Sequence, residues 1–162
     1  MAQVYDARKV KVYIDGKEIK GFSPDSKVTI TPAGEGSNRQ VGTDGEVVFS
    51  IDVDNTFDIQ LSLLQSSKSN DFLSNMYKNF RENGIMKRIM IKDLMGSTVF
   101  SSAQCCVQKY AESQFQKQAG SRNWTIMTDQ ADNVNVGGAN QQYDRVTSPS
   151  GDLFNVANTI LY

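Results

Sequence analysis

Residues 57–84 of the chain read FDIQLSLLQSSKSNDFLSNMYKNFRENG, and two different periodicities meet within them. The first seven residues alternate, with Phe57, Ile59 and the leucines at 61 and 63 on one side and polar residues on the other. This period of two predicts a strand with one buried face. From Phe72 onward the apolar residues recur every three or four positions, which predicts a helix. The stretch therefore predicts a long strand that leads into a single helix.

The predicted helix runs over residues 70–82. The triplet Ser69-Asn70-Asp71 before it offers side-chain oxygens to the free N–H groups of a first helical turn. Gly84 follows the helix and favours the left-handed conformation in which many helices end. Because its apolar residues form one stripe, we predict that the helix packs on a core and does not form a binding surface.

Shorter alternating segments on both sides of this stretch predict further strands. Turn residues such as Asp15-Gly16 separate several of them, and most links are too short for a parallel crossover. The predicted strands cover residues 8–14, 18–22, 27–31, 46–53, 57–63, 85–92, 99–107 and 122–128. We therefore predict a mainly β fold, in which two packed antiparallel sheets form a barrel-like body with one flanking α-helix.

Trp124 and the two cysteines indicate where the core of this body lies. Trp124 shares a strand face with Ile126, which predicts a core position for the indole ring. Cys105 and Cys106 are adjacent, so they point to opposite sides of a strand, and Cys105 is expected to be buried. Adjacent cysteines rarely bridge each other. We expect two inert side chains in a protein that is cytosolic or assembled in the cytosol.

Two segments lie outside these regular elements. Residues 32–45 contain four glycines, and a connection of this length is either a mobile surface loop or an ordered contact arm, such as an extended hairpin. After residue 129 the chain becomes rich in Asn, Gln, Gly and Ser and then ends in apolar residues. We expect a domain over residues 1–129 and a C-terminal extension over 130–162, which is either a frayed tail or an arm that docks.

The composition argues against several classes of function. The chain has 162 residues, no histidine and a formal net charge of −1. Without histidine there is no Ser-His-Asp or Cys-His catalysis and no histidine metal site. The balanced charge argues against tight binding of nucleic acid phosphates. No signal peptide is visible, and no apolar run approaches the ~20 residues of a membrane span. We therefore expect neither an enzyme nor a cofactor.

Several segments resemble the tail tube proteins of contractile-tailed bacteriophages, and they occur in the order in which that family carries them. The first are VYDARKV at 4–10, VYIDG at 12–16 and IKGF at 19–22. The later ones are VGTDGE at 41–46, IQLSLLQSSKSNDFL at 59–73, IKDLMG at 91–96 and AGSRNWTI at 119–126. The resemblance covers about residues 4–128, and none of these segments is a catalytic signature.

This resemblance implies rings of six subunits that stack into a hollow tube. The tube lies inside a contractile sheath, and the phage DNA reaches the host through the tube. The implied partners are other copies of the chain, the tail sheath, the baseplate and the tape measure protein. DNA would pass through the lumen without specific binding, and no membrane anchoring is implied. The protein would be a virion component of the tail, assembled in the host cytoplasm.

Two sets of residues acquire a role in such a tube. The lumen should be neutral or acidic so that DNA slides and does not bind. The lumen candidates are the polar strand faces Glu46, Ser50, Asp52, Asp58, Gln60 and Ser62, for which an outer solvated face is an equal alternative. Contacts between subunits are expected from the N-terminal arm 1–7 and the 32–45 loop. The candidates there are Val4, Tyr5, Gly36, Asn38, Arg39, Gly42 and Asp44.

Three other interpretations stay open on the sequence. The first is the related tube protein of type VI secretion, which forms rings without a phage tail. The second is a tail-completion or baseplate protein that forms one ring and does not stack. The third is a monomeric β-barrel that binds a ligand in an apolar cavity and does not polymerise.

Overall fold

A computed structural model describes residues 5–25 and 27–138 of the chain, and within them it contains ten β-strands and one α-helix. A single 3₁₀ turn over Ala7–Lys9 precedes the first strand. The strands are β1 Val10–Ile14, β2 Lys17–Glu18, β3 Val28–Pro32, β4 Ser37–Val41, β5 Val47–Ile51, β6 Phe57–Leu64, β7 Lys87–Asp93, β8 Val99–Val107, β9 Ser121–Thr128 and β10 Ala131–Asn135. Helix α1 covers Ser69–Asn83 and lies between β6 and β7.

Eight of these strands form one antiparallel sheet in the order β2-β1-β7-β8-β9-β6-β3, with β10 also paired to β8. The long strand β6 lies between β3 and β9, where Ile59 is opposite Ile30 and Leu61 is opposite Trp124. Strands β4 and β5 form a separate two-stranded sheet. The predicted fold class, mainly β with two antiparallel sheets and one helix, is confirmed.

The large sheet curls until its two ends come close together. Strands β1 and β3 lie near opposite ends of the strand order. Lys27, the residue before β3, nevertheless contacts the chain at the beginning of β1. Its ammonium group donates hydrogen bonds to the carbonyl oxygens of Ala7 and Val10 at 2.7 and 2.5 Å. Among the described residues no ladder joins β2 to β3, so the body is barrel-like but stays open along this seam.

The core fills the inside of the curled sheet. Ile59, Leu61 and Leu63 of β6 are at most 1% exposed, as their alternation predicts. Helix α1 contributes Leu73 and Met76 to the same apolar cluster. The helix packs on the core through these two side chains. No helix among the described residues is long and apolar enough to cross a bilayer.

The C-terminal end of α1 agrees with the prediction, and the capping of its N-terminal end does not. Gly84 has φ 68°, and its N–H bonds to the carbonyl oxygen of Phe80, so it ends the helix as expected. At the start, the predicted capping by the 69–71 triplet is wrong. Ser67 instead accepts a hydrogen bond from the N–H of Ser69, and the Asn70 side chain turns toward the sheet.

Strand β10 lies within the segment that we expected to be a C-terminal extension. It pairs with β8 from Ala131 opposite Ser102 to Asn135 opposite Val99, with an irregularity near its start. The sheet of the domain therefore continues past residue 129. The sequence Ala-Asp-Asn-Val-Asn is poor in residues that favour strands, so this pairing depends on β8 and not on local preference. The rest of the expected C-terminal extension, residues 139–162, lies outside the described residues.

The cysteines and Trp124 lie where the sequence predicts a core. Trp124 is 3% exposed, and Cys105 is fully buried. Cys106 is buried as well, although strand alternation directs it away from Cys105. Burial raises the pKa of Cys105 to about 12, and it also raises the pKa of Cys106. Both thiols are therefore protonated and unreactive at neutral pH.

Candidate assembly interface

Residues 33–54 form a hairpin that stands away from the body, and we name this segment the arm. It consists of β4 and β5 with their connecting turn, and every residue of both strands is exposed. The glycine-rich stretch 32–45 is thus an extended hairpin arm, which is one of the two alternatives that its composition left open. A ribbon held away from its own body is a shape that suits contact with another molecule.

The two faces of the arm differ in polarity. The register of β4 and β5 places Val41 opposite Val47 and Arg39 opposite Phe49, so these side chains share one face. Four large apolar residues lie exposed on that face: Val41 at 63%, Val47 at 49%, Phe49 at 73% and Ile51 at 85%. The other face carries Asn38, Gln40 and Ser50, with Val48 as its one apolar residue within the two strands. A contiguous apolar face of this kind is typical of a protein contact site.

The base of the arm is fixed by two aspartates. The Asp52 carboxylate accepts hydrogen bonds from the backbone N–H groups of Glu35 and Asp54 at 2.9 and 3.1 Å, and these bonds lower its pKa. Asp54 in turn accepts hydrogen bonds from the N–H and hydroxyl groups of Thr56. Gly34 fits between them because a Cβ there would lie 2.5 Å from the Asp54 carbonyl oxygen. The arm is therefore preorganised at its root.

The open seam of the barrel forms a cleft at the other end of β3. The cleft has a volume of about 710 Å³ and is lined by residues between 5 and 27. Tyr5, Val10 and Phe22 give it an apolar wall, and Lys27 lies against the backbone of the first strand. Burial lowers the pKa of Lys27, and the neighbouring charge of Lys11 lowers it further. We name this feature the seam cleft.

The outer face of β3, β6 and β9 is nearly uncharged and mostly polar, with Leu64 and Met127 as its apolar residues. Gln60 lies opposite Thr29 on one side and Thr125 on the other, and the hydroxyl of Ser62 donates to the Asn123 side-chain oxygen at 2.9 Å. Among the described residues of these three strands, this face carries no lysine or arginine. Of the described residues of these strands, Asp58 is the one ionisable side chain on this face.

The structure divides the predicted lumen residues into two groups. Asp58, Gln60 and Ser62 lie together on the outer face of β6. Glu46, Ser50 and Asp52 belong to the arm instead, because β5 pairs with β4 and not with the large sheet.

The predicted contact residues lie in two separate parts of the structure. Five of them lie on the arm: Gly36, Asn38, Arg39, Gly42 and Asp44. Tyr5 lines the seam cleft and is 65% exposed, and Val4 lies outside the described residues. Sequence reasoning missed the apolar face of the arm as a contact surface, although the alternation of Val47, Phe49 and Ile51 was visible. It also missed the seam cleft. The one feature of the sequence that indicates this cleft is the high lysine content of residues 9–27.

Comparisons with known proteins give a family and a fold. A family model described as "Bacteriophage PhiTE tail tube protein" matches residues 18–136. No curated protein sequence matches the chain significantly.

Three solved structures are similar to the chain. They are the tube terminating cap of the anti-feeding prophage, and the sheath/tube terminator and the sheath-tube complex of PVC, an extracellular contractile injection system. Their TM-scores are 0.58, 0.58 and 0.56, and their identities are 11%, 12% and 12%. The matches cover 86%, 85% and 83% of this chain and 95%, 99% and 90% of those chains. At such identities the similarity establishes a shared fold.

Proposed function

Because the chain belongs to the bacteriophage PhiTE tail tube protein family, we propose that it is the repeating subunit of a hollow tail tube, in which rings of six copies stack. The family is one of structural proteins and not of enzymes. The tube would lie inside the tail sheath, between the baseplate at one end and the head at the other, with the tape measure protein inside it during assembly. It would be built in the host cytoplasm and deliver DNA through its lumen.

The exposed apolar face of the arm is the observation that carries this proposal. Four large apolar side chains stand in water on a hairpin whose base is fixed by hydrogen bonds. A monomer gains nothing from this arrangement, whereas a neighbouring copy would bury the whole face. Within the described part of the chain, the strands β2 and β3 at the ends of the sheet also have unpaired edges. Closed rings remove such edges by pairing or covering them with the next copy.

The outer face of β3, β6 and β9 is the proposed wall of the lumen. Threonine, glutamine, asparagine and serine side chains offer DNA no cation, so there are no counterions to release on binding. Asp58 adds repulsion of the phosphates. The alternative for this face is the outside of the tube, and the lysine substitutions below distinguish the two.

Placing lysines on the proposed lumen wall should turn a passive tube into a DNA-binding one. We expect purified tubes of the Gln60→Lys/Thr125→Lys variant to retain short duplex DNA, with an affinity that falls steeply as salt is raised. Filter binding with labelled duplexes measures this. The matched control is Asn75→Lys/Asn79→Lys on the helix, which adds the same charge elsewhere. Equal DNA retention by both variants, or none by either, would contradict the lumen assignment.

Negative-stain electron microscopy and sedimentation of the purified full chain test the proposal as a whole. We expect hollow tubes or stacked rings with six-fold symmetry. Single rings that never stack would favour a second candidate function, a terminator of the tube, which two of the similar structures are by their descriptions. Monomers at the highest soluble concentration would contradict both and favour a monomeric binding module. Rings or tubes that form without any other phage tail protein in the source of the chain would favour the type VI secretion alternative.

A further inference from the structure

The net charge of the chain hides an uneven distribution. The arm carries five carboxylates and one guanidinium: Glu35, Asp44, Glu46, Asp52, Asp54 and Arg39. The seam cleft and a groove that adjoins it at residues 18–21 have the opposite sign. Together they are lined by six basic side chains, Arg8, Lys11, Lys17, Lys20, Lys27 and Lys68, and by two acidic ones. The arm and the cleft are therefore complementary in charge.

Part of this basic charge is not neutralised by any residue that the structure describes. Arg8 pairs with Asp6, whose pKa it lowers to about 2, and Lys11 pairs with Glu18. Lys20 and Lys68 form no ion pair with any residue that the structure describes. Their ammonium groups are exposed and free to meet a carboxylate from another molecule.

The arm and the seam cleft lie at opposite ends of the same strand. The arm leaves the body after Pro32, the last residue of β3, whereas Lys27 in the cleft precedes its first residue. Five residues of strand span roughly 17 Å. Each copy thus presents an arm at one end and a cleft at the other. Contact between unlike surfaces of identical copies is head-to-tail, and it repeats from copy to copy in rings or filaments.

We propose that the arm of one copy docks in the seam cleft of the next copy. The apolar face of the arm, centred on Phe49, packs against the wall formed by Val10 and Phe22. The carboxylates at the arm's tip, Asp44 and Glu46, face Lys20 and Lys68. This inference rests on the proposed function, because it names the surface that receives the arm within the tube.

Cross-linking between two variants that each carry one added surface cysteine tests this contact. The two native cysteines are 0% and 5% exposed, so a surface cysteine is the reactive thiol. One chain carries Thr43→Cys on the arm, and a second chain, of different size so that the two can be distinguished, carries Asp25→Cys in the cleft. When the two chains are mixed, we expect a short bis-maleimide to join them into a heterodimer. Asn79→Cys on the helix replaces Asp25→Cys in the control, which should give no such product.

Charge reversal with rescue provides a second test of the contact. We expect Asp44→Lys/Glu46→Lys and, separately, Lys20→Glu/Lys68→Glu to lower the assembled fraction at least about tenfold, because like charges would then meet across the interface. A chain carrying all four changes restores complementarity and should assemble. Lys78→Glu/Lys109→Glu, outside the cleft, changes the net charge equally and should assemble normally.

The outcomes separate this inference from the function on which it rests. If the wild-type chain forms tubes but the Thr43→Cys and Asp25→Cys pair gives no heterodimer, the docking site is overturned and the tube proposal stays intact. Normal assembly of Lys20→Glu/Lys68→Glu would have the same meaning. A cross-link within one copy between Asp25→Cys and Asn158→Cys would assign the cleft to the C-terminal segment and would also overturn it. Absence of any assembly by the wild-type chain would count against the tube itself.

Discussion

Aspartate in place of Phe49 and Ile51 is expected to leave the protein folded but unable to assemble. These side chains are 73% and 85% exposed, so their removal takes little packing from the monomer. In an assembly, burial of each apolar side chain contributes about 1.5–3 kcal/mol. A buried unpaired carboxylate in its place opposes association by several kcal/mol. Because 1.4 kcal/mol corresponds to a factor of ten, the two changes should weaken each contact by at least about a thousandfold.

Sedimentation velocity and electron microscopy measure the assembly of this variant, and circular dichroism measures its fold. The control is Asn38→Asp/Gln40→Glu, which adds two carboxylates to the polar face of the same hairpin. We expect the control to form tubes, since that face is not the one that packs. Tubes formed by Phe49→Asp/Ile51→Asp would show that the apolar face is not an interface.

The regular part of the fold could be predicted because its burial is local and periodic. Alternation in β6 fixes which side chains enter the core, and the stripe from Phe72 fixes the buried face of α1, so both elements lie within two residues of their predicted ends. The arm shows where this reasoning stops. The alternation of Val47, Phe49 and Ile51 is as regular as that of β6, yet the apolar side faces water. The partner that would cover it is not part of the same molecule.

The candidate surfaces depend on which strands pair, and pairing is a long-range property. Ser50 and Ser62 have similar neighbours in sequence, but β5 pairs only with β4 while β6 joins the large sheet. The seam cleft arises because the sheet curls and brings Lys27 to the carbonyl oxygen of Val10. Neither the separate hairpin nor the curl leaves a periodic signal in the sequence. A set of polar strand residues could therefore be predicted, but their division between the arm and the sheet could not.

Loss of the Trp124 side chain is expected to reduce the stability of the fold by about 3–5 kcal/mol. The indole is 3% exposed, and its N–H donates to the Asn70 side-chain oxygen at 2.9 Å. The amide group of Asn70 donates in turn to the carbonyl oxygens of Leu64 and Ser67, at the turn between β6 and α1. Trp124 thus fills the core and also ties strand β9 to the start of the helix.

For Trp124→Ala we expect a loss of about 3–5 kcal/mol in the free energy of unfolding, from the cavity and the unpaired Asn70 oxygen. The whole free energy of unfolding of a typical domain is about 5–15 kcal/mol. Trp124→Phe keeps most of the volume and removes the hydrogen bond, so the hydrogen bond itself should account for about 0.5–1.5 kcal/mol of that variant's loss, with further loss from the smaller ring.

Urea unfolding should be measured in the Phe49→Asp/Ile51→Asp background, because assembly would otherwise stabilise the folded state by mass action. Far-ultraviolet circular dichroism is the appropriate signal, since Trp124 is the one tryptophan of the chain and its fluorescence disappears with it. Asn70→Ala, which keeps the indole in place, should lose less than Trp124→Ala. A loss below about 1 kcal/mol for Trp124→Ala would place the indole outside the cooperative core, since large-to-small changes within a core cost several times more.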